Sequence, residues 1–345
     1  MIGCGSIGVR HAANASRLAS VSVVDAIPER AAAAARSLGV AFHRSVAEGL
    51  ATGPDAVVIA TPHTTHLALA SAALDAGADV LIEKPLAASL DGVGDLVARV
   101  ERERRRAHVV CNMRFHPALS ALRRALPRVG RPLFARAQYG NYLPDMRPGM
   151  DYRTLYCARA ETGGGVILDA IHEIDYLCWL FGPVDSVLAE AARLGTLEID
   201  VEDYAALVLT HRAGVRCEIH LDYLQRSKRR GCEIVGTEGT LVWASEGRDP
   251  EHCSVRFRPP GNGPWETLVE DVAVDARAPY AELMQRFLVG ESEDLLDLRG
   301  AAADLAVALA ARHAAATHAA AMPEPLAPAA TPRPECAGPL RAPSS

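Results

Sequence analysis

Gly3-Cys4-Gly5-Ser6-Ile7-Gly8, near the start of the 345-residue chain, is the stretch that decides the predicted fold. It matches the pattern G-x-G-x-x-G, in which the first glycine forms a tight turn, the second lets the backbone approach a pyrophosphate, and the third allows close packing of a helix. Asp25 follows about 20 residues later, at the end of the valine-rich run 21–24. A carboxylate there can accept hydrogen bonds from an adenosine ribose and repels a 2′-phosphate, which favours NAD over NADP.

Short strands and amphipathic helices are predicted to alternate over residues 1–112. The predicted strands are 21–25, 55–61, 79–83 and 108–111, with alanine-rich helical segments between them. This order is typical of βαβ units, so the sequence predicts an α/β fold that begins with a Rossmann-type dinucleotide-binding domain. Only Met1 and Ile2 precede Gly3, whereas a strand usually has about five residues. The first strand is therefore expected to be truncated here, and the natural product to carry several more residues.

The pattern changes after residue 113 to longer alternating strands. These are predicted at 133–142, 204–210, 215–224, 233–235 and 240–243. They indicate a second, α+β domain over residues 113–319 with a large, mostly antiparallel sheet. Residues 165–181 carry apolar side chains at helical spacing and predict one helix, whereas the Pro- and Ala-rich residues 320–345 predict a disordered tail.

Composition excludes several classes of function. A formal net charge of −6 gives no basic surface for nucleic acid. No apolar run reaches the roughly 18 residues that a membrane-spanning helix requires. The eight cysteines are widely spaced and include no C-x-x-C pair, so the sequence predicts no metal site and favours a reducing cytoplasm.

Lysine is rare in this chain, because only Lys84 and Lys228 are lysine among 36 basic residues. Arginine cannot lose its proton in a protein, whereas a partly buried lysine can change its pKa, so each lysine calls for a reason. Lys228 lies in the basic run 226–230, where a solvated surface position is expected. Lys84 lies in Glu83-Lys84-Pro85, directly after a predicted strand, where a chemical role is expected.

Five motifs together resemble the glucose-fructose oxidoreductase/inositol dehydrogenase/rhizopine-catabolism (Gfo/Idh/MocA) family, over nearly all of the chain up to about residue 318. They are residues 3–8, Asp25, residues 60–66 (ATPHTTH), residues 83–85 (EKP) and residues 163–169 (GGGVILD). The resemblance implies an NAD(P)-dependent dehydrogenase that acts on CH–OH groups of a sugar, cyclitol or nucleotide-sugar. It implies cofactor contacts from Gly3, Gly5, Ser6, Ile7, Gly8, Asp25, Thr61, Pro62, His66, Glu83 and Lys84.

Asp169 and His172 form the predicted catalytic pair, since positions i and i+3 of a helix are neighbours. Oxidation of an alcohol needs a base for the hydroxyl proton, and a histidine oriented by a carboxylate suits that role. The resemblance implies the same pair, with Lys84 at the reacting oxygen. The family usually separates the two residues by four positions, so the shorter spacing changes the expected direction of His172; it resembles a polysaccharide-associated branch. Glu173 and Asp175 are expected to be structural.

Substrate contacts are expected from the second domain. Arg114 and His116 open that domain and are predicted either to contact substrate or to pack between the domains. Tyr142, Tyr152 and Arg153 are predicted in a loop that either covers the active site or contacts another subunit. The resemblance also implies a homodimer or homotetramer.

Two other functions stay open at this point. Some relatives keep NAD bound and hydrolyse glycosides through transient oxidation of the sugar ring. A regulator of the same fold that senses a sugar or dinucleotide is the other alternative, although an intact set of Lys84, Asp169 and His172 argues against it, because a sensor needs no such lysine.

Overall fold

Parallel strands and helices alternate at the start of the computed structural model, which describes residues 1–247, 250–261 and 263–326. The sequence forms strands here because runs such as Val80-Leu81-Ile82 are β-branched or aliphatic and wholly buried, as expected where helices cover both faces of a parallel sheet. The strands are β1 (Ser22–Val23), β2 (Ala41–Phe42), β3 (Ala56–Ile59), β4 (Asp79–Glu83) and β5 (Ala107–Val110), and the helices are α1 (Ser6–Ala15), α2 (Pro28–Leu38), α3 (Val46–Leu50), α4 (His66–Asp75) and α5 (Val93–Glu103).

Ile2 joins the two parts of this parallel sheet, of which one contains β1 and β2 and the other contains β3, β4 and β5. It forms parallel bridges to Ile59 of β3 and to Val24, next to β1. The backbone N–H of Ile2 donates to the carbonyl oxygen of Val58, and that of Gly3 donates to Val24. The residues before the glycine turn therefore lie between the two parts of the sheet, at its centre.

A second sheet of eight strands follows, and it confirms the predicted α+β domain. Its order is β13-β12-β11-β10-β6-β9-β8-β7, with only the β6–β9 pair parallel. Along β8, Ala205, Leu207 and Leu209 point into the core, as the alternating pattern predicts. The strands are β6 (Pro132–Gly140), β7 (Val184–Ala192), β8 (Tyr204–His211), β9 (Arg216–Asp222), β10 (Arg229–Gly236), β11 (Thr240–Glu246), β12 (Glu251–Arg258) and β13 (Glu266–Val274), and the helices are α6 (Pro117–Ala125), α7 (Val166–Asp169) and α8 (His172–Phe181).

The segment predicted as one helix over 165–181 is two helices, so that prediction is wrong. The backbone leaves the helical conformation at Ala170, whose φ and ψ are −92° and 29°. Asp169 is the last residue of α7, and His172 is the first residue of α8. The two side chains therefore do not share one helix face.

The chain returns to the first sheet near its end, through α9 (Ala278–Val289), β14 (Leu296–Asp297) and α10 (Leu298–Thr317). Strand β14 pairs antiparallel with β5, so a late part of the chain belongs to the first sheet. A single domain boundary at residue 112 does not describe this return. Beyond α10, the backbones of Ala321 and Val187 exchange two hydrogen bonds, so the prediction of disorder from residue 320 is wrong for residues 320–326. Residues 327–345 of the predicted tail lie outside the described residues. Over the described ranges, no helix is both long enough and apolar enough to cross a membrane.

Candidate active site

The glycine turn forms an open cradle in front of α1. A Cβ atom at Gly3 would lie 2.3 Å from the carbonyl oxygen of Ala60, and one at Gly8 would lie 2.0 Å from the carbonyl oxygen of Gly3. A Cβ atom at Gly5, the N-cap residue of α1, would meet nothing within 4 Å, and no side chain caps this end of the helix. The amides of residues 6–8 have no intrahelical acceptor. The cradle therefore fits the pyrophosphate of a dinucleotide.

Asp25 is fixed beside this cradle. Its Oδ2 accepts a hydrogen bond from the backbone N–H of Cys4 at 2.7 Å, and its Oδ1 accepts one from Ile27 at 2.9 Å. The predicted ribose-binding carboxylate thus stands next to the glycine turn. Arg30 Nη1 lies 3.8 Å from Oδ1, with about half of its side chain exposed.

His66, predicted to lie along the cofactor, is buried between the loops that follow β3 and β4. It is 1% exposed, and its Nδ1 and Nε2 face the carbonyl oxygens of Pro85 and Thr61 at 3.1 Å and 3.0 Å. It therefore holds together the two loops that end β3 and β4. Thr61 and Pro62 themselves keep accessible surface at the end of β3.

Glu83 points toward α1 and is held there by a residue that the sequence analysis missed. Its Oε1 lies 2.7 Å from Nε2 of His11, and both side chains are buried. Its Oε2 accepts a hydrogen bond from the backbone N–H of Lys84 at 3.1 Å. Glu83 therefore connects the dinucleotide helix to the loop that carries Lys84. A single histidine on an amphipathic helix gave no signal of this contact.

Lys84 and Asp169 meet across the domain boundary. The Lys84 Nζ donates to the backbone carbonyl of Asp169 at 2.5 Å and to its Oδ1 at 3.0 Å, and lies 3.5 Å from the Tyr156 hydroxyl. Burial disfavours the ammonium ion, but the charge of Asp169 and the hydrogen bonds outweigh that effect and raise the pKa of Lys84 well above its usual value. Lys84 is therefore held as a cation.

Tyr156 and Tyr223 complete this centre, and neither lies in a motif that the sequence singles out. The Tyr156 hydroxyl donates to Asp169 Oδ1 at 2.5 Å, and the Tyr223 hydroxyl donates to Oδ2 at 3.1 Å. Burial alone would raise the pKa of Asp169, but Lys84 and the two hydroxyl groups lower it to about 2. Tyr223 directly follows β9, at the strand end that faces the site, and this position was the only sequence signal available.

His172 is the first residue of α8. Its Nδ1 is buried and has no hydrogen-bond partner in the described part of the chain. The oxygens of Asp169 instead accept hydrogen bonds from Lys84 and the two tyrosines, so the prediction that Asp169 orients His172 is wrong. Burial, together with the positive charges of Lys84 and Arg230, lowers the pKa of His172 well below its usual value. The imidazole is therefore neutral and can accept a proton.

Comparisons with known proteins identify the family of this chain. Residues 1–111 match the profile described as "Oxidoreductase family, NAD-binding Rossmann fold", and residues 125–242 match the "GFO/IDH/MocA C-terminal domain". The chain is 32% identical to 1,5-anhydro-D-fructose reductase of Ensifer adhaerens over 64% of this chain and 67% of that protein. It is 30% identical to D-apiose dehydrogenase of Paraburkholderia graminis over 79% and 76%. The chain belongs to the Gfo/Idh/MocA oxidoreductase family.

A solved structure with the same architecture is the WlbA dehydrogenase from Bordetella pertussis in complex with NADH and UDP-GlcNAcA. It superimposes with a TM-score of 0.75 and 25% identity, and the match covers 94% of this chain and 98% of that one. As a Gfo/Idh/MocA member, the chain is an NAD-dependent oxidoreductase. In the described ranges, no group of three or more His, Cys, Asp or Glu side chains could hold a metal ion.

The charged residues on either side of this Gfo/Idh/MocA site form buried ion pairs. Arg114 Nη2 lies 2.6 Å from Asp175 Oδ1, and Arg230 Nε donates to Glu173 Oε1 at 2.7 Å. Both carboxylates are fully buried. Glu173 and Asp175 are thus occupied by arginine partners, and Arg114 is held by Asp175; their predicted roles stay predictions.

His116 and Lys228 share a second buried cluster. His116 is 3% exposed, and its Nδ1 accepts a hydrogen bond from the backbone N–H of Ala118 at the start of α6. Lys228 Nζ donates to Glu251 Oε2 at 2.5 Å, with only 15% of the lysine side chain exposed. The prediction of a solvated Lys228 is wrong, and His116 caps a helix. Both lysines of the chain therefore stand in partly buried ion pairs.

The three predicted loop residues lie in different surroundings. Tyr142 is close to the site, because the next residue, Leu143, donates its backbone N–H to the carbonyl oxygen of Tyr223. The guanidinium of Arg226 lies 3.7 Å from the centre of the Tyr142 ring. Tyr152 and Arg153 instead contact a neighbouring loop: the Tyr152 hydroxyl accepts from the Glu198 backbone, and Arg153 pairs with Asp151 and Glu198.

Proposed function

We propose that this protein is a dehydrogenase for a secondary alcohol of a sugar, cyclitol or nucleotide-sugar, and that it also catalyses the reverse reduction. NAD, when bound, supplies the hydride acceptor. The observation that carries the proposal is the pairing of a cationic Lys84, fixed by Asp169, with a neutral His172 whose pKa the positive charge of Lys84 helps to lower. Alcohol oxidation requires this combination of a fixed positive charge and a proton acceptor.

Each group has a distinct role in the proposed reaction. Neutral His172 accepts the proton of the substrate hydroxyl. Lys84 stabilises the negative charge that develops on the same oxygen, because its ammonium group is already formed and held in place. Asp169 acts as the counter-ion of Lys84, through the bonds of 2.5 Å and 3.0 Å. In the reverse direction, Lys84 polarises the carbonyl oxygen and the imidazolium of His172 returns the proton.

The relatives support a carbohydrate substrate. Relatives include proteins named for anhydrofructose, apiose and inositol, and the similar WlbA structure contains UDP-GlcNAcA. The backbone hydrogen bond from the adjacent Leu143 to Tyr223 supports substrate contact by Tyr142, and the accessible Thr61 and Pro62 support cofactor contact. For Tyr152 and Arg153 the alternative of an oligomer contact is retained.

We also propose a homodimer or homotetramer, formed through the outer face of the large sheet. Apolar side chains, among them Phe134, Val208 and Val242, are only partly covered on that face. Sedimentation velocity tests this assembly. A cytoplasmic location fits the seven described cysteines, which are all free thiols.

One experiment separates the dehydrogenase from its two alternatives. The holoenzyme is incubated with NAD and a panel of sugars, cyclitols, nucleotide-sugars and nitrophenyl glycosides, and NADH absorbance and nitrophenol are both recorded. A dehydrogenase accumulates NADH in proportion to the substrate consumed. Release of nitrophenol without NADH would indicate the glycosidase, and ligand binding without either product would indicate the sensor.

A further inference from the structure

We propose that Tyr156 and Tyr223 are positioning residues, which fix the Asp169 carboxylate as the counter-ion of Lys84. The four side chains come from four separate parts of the chain: the end of β4, the short turn Tyr156–Ala158, the end of α7 and the residue after β9. They meet through the hydrogen bonds of Asp169, one hydroxyl on each carboxylate oxygen. The kinetic part of the proposal rests on the proposed function.

The two hydroxyls act on opposite oxygens of one carboxylate. Rotation of a carboxylate about its terminal bond is intrinsically loose, and donors on both oxygens restrict it. Tyr156 holds Oδ1 at 2.5 Å and Tyr223 holds Oδ2 at 3.1 Å. The direction in which Oδ1 meets Lys84 is therefore determined by two side chains that belong to the second domain.

This arrangement leaves one Lys84 N–H for the substrate. An ammonium group has three N–H donors. Two of them bind the carbonyl oxygen and Oδ1 of Asp169, at 2.5 Å and 3.0 Å. The third points toward the Tyr156 hydroxyl, whose oxygen is 3.5 Å away, a long and weak contact that a substrate oxygen can replace. Fixing Asp169 thus fixes the direction of the remaining donor.

Neither tyrosine serves as the proton acceptor. Burial, and next the charge of Asp169, raise the pKa of both hydroxyls well above the usual value. Both phenols therefore stay protonated and donate hydrogen bonds to Asp169. Their effect on the reaction passes through Asp169 and Lys84, and His172 remains the base.

The scarcity of lysine allows a direct measurement of this effect. Protein labelled with carbon-13 at the lysine Cε gives signals from only Lys84 and Lys228, and Lys228→Arg assigns them. In the wild type, the Lys84 methylene should show restricted motion by relaxation. In Tyr156→Phe, in Tyr223→Phe and most strongly in the double variant, Lys84 should become mobile while Lys228, paired with Glu251, is unchanged.

Tyr176→Phe is the matched control. Tyr176 is fully buried in the same domain, and its hydroxyl has no hydrogen-bond partner among the described residues. Its loss should leave both lysine signals as they are. If Lys84 keeps its wild-type order in the folded tyrosine variants, single or double, the positioning role is overturned.

Kinetics test the same proposal with the substrate that the panel identifies. Each phenylalanine variant should lower kcat by about tenfold, the effect of one hydrogen bond to a charged group, and change KM and NAD affinity by less than about twofold. In an Asp169→Ala background, Tyr156→Phe should cost no further activity, because the carboxylate that accepts its hydrogen bond is gone. An equal loss in both backgrounds would contradict an action through Asp169. Absence of wild-type turnover would reject the dehydrogenase, whereas the Lys84 signals still decide the positioning role.

Discussion

Lys84 and His172 show that the groups around a buried side chain, as well as its depth of burial, determine whether it is charged. Both side chains lie largely away from water, and burial disfavours the charged form of each. Lys84 has the Asp169 carboxylate within 3.0 Å and keeps its proton. His172 has a free Nδ1 and two cationic neighbours, and loses its proton. One site therefore combines a permanent cation with a neutral base.

The pH dependence of alcohol oxidation should reflect the low pKa of His172. A group with a lowered pKa binds its proton only at lower pH, so the base form persists through the ordinary histidine value of about 6.5. We expect kcat/KM to stay constant through the ordinary histidine range and to fall only at pH values well below 6.5. A pH–rate profile of the holoenzyme measures this. An acid limb centred at pH 6.5 or above would contradict it.

Cofactor choice should depend on the charge of Asp25. Asp25→Asn keeps an acceptor for the Cys4 amide but removes the negative charge that repels a 2′-phosphate. We expect the wild type to bind NAD more tightly than NADP. The variant should reduce this difference in affinity, because Arg30, 3.8 Å from Asp25 Oδ1, can then attract the 2′-phosphate of NADP. Fluorescence titrations with both cofactors measure this. Adding Arg30→Ala to Asp25→Asn should restore part of the preference for NAD over NADP. Equal affinities of the wild type for NAD and NADP would contradict this role of Asp25.

At the scale of elements, hydrophobic periodicity predicted whether a segment forms a helix or a strand better than it predicted where that element is interrupted. The strands 79–83 and 204–210 were predicted almost to the residue, because their apolar pattern is strong. The apolar spacing of 165–181 continues through Ala170, so it could not show where α7 ends. Strands β7, β12 and β13 were missed; β13 is largely exposed on both faces and has no alternating pattern.

Helix α8 should depend on the ion pair between Arg114 and Asp175. Arg114→Ala leaves the fully buried Asp175 carboxylate without its main partner, which should lower the free energy of unfolding by about 3–5 kcal/mol. Substrate KM should change little, because the arginine serves packing. Urea denaturation and steady-state kinetics measure the two quantities. The exposed Arg124→Ala, on α6, is the control, with an effect within about 0.5 kcal/mol. A raised KM with unchanged stability would instead indicate substrate contact.

At the scale of the whole molecule, the site exists only where the two domains meet. Lys84 comes from the first sheet, and Asp169 and His172 come from helices that pack on the second. Sequence motifs identified these three residues, because each stands in a recognisable run. Tyr156 and Tyr223 belong to no such run and were found only through their distances to Asp169. The pairing of β14 with β5 likewise could not be predicted, because β14 has only two residues.

The most direct test of the account compares wild type with Lys84→Arg. Arginine keeps the positive charge, but its planar guanidinium cannot place a single N–H donor as the ammonium does. NAD affinity is measured by titration. The rate of NADH formation is measured in a single turnover, after enzyme loaded with NAD is mixed with the identified substrate. We predict NAD binding within about twofold of wild type and a rate at least about 100-fold lower. Near-normal NADH formation by Lys84→Arg would contradict the account.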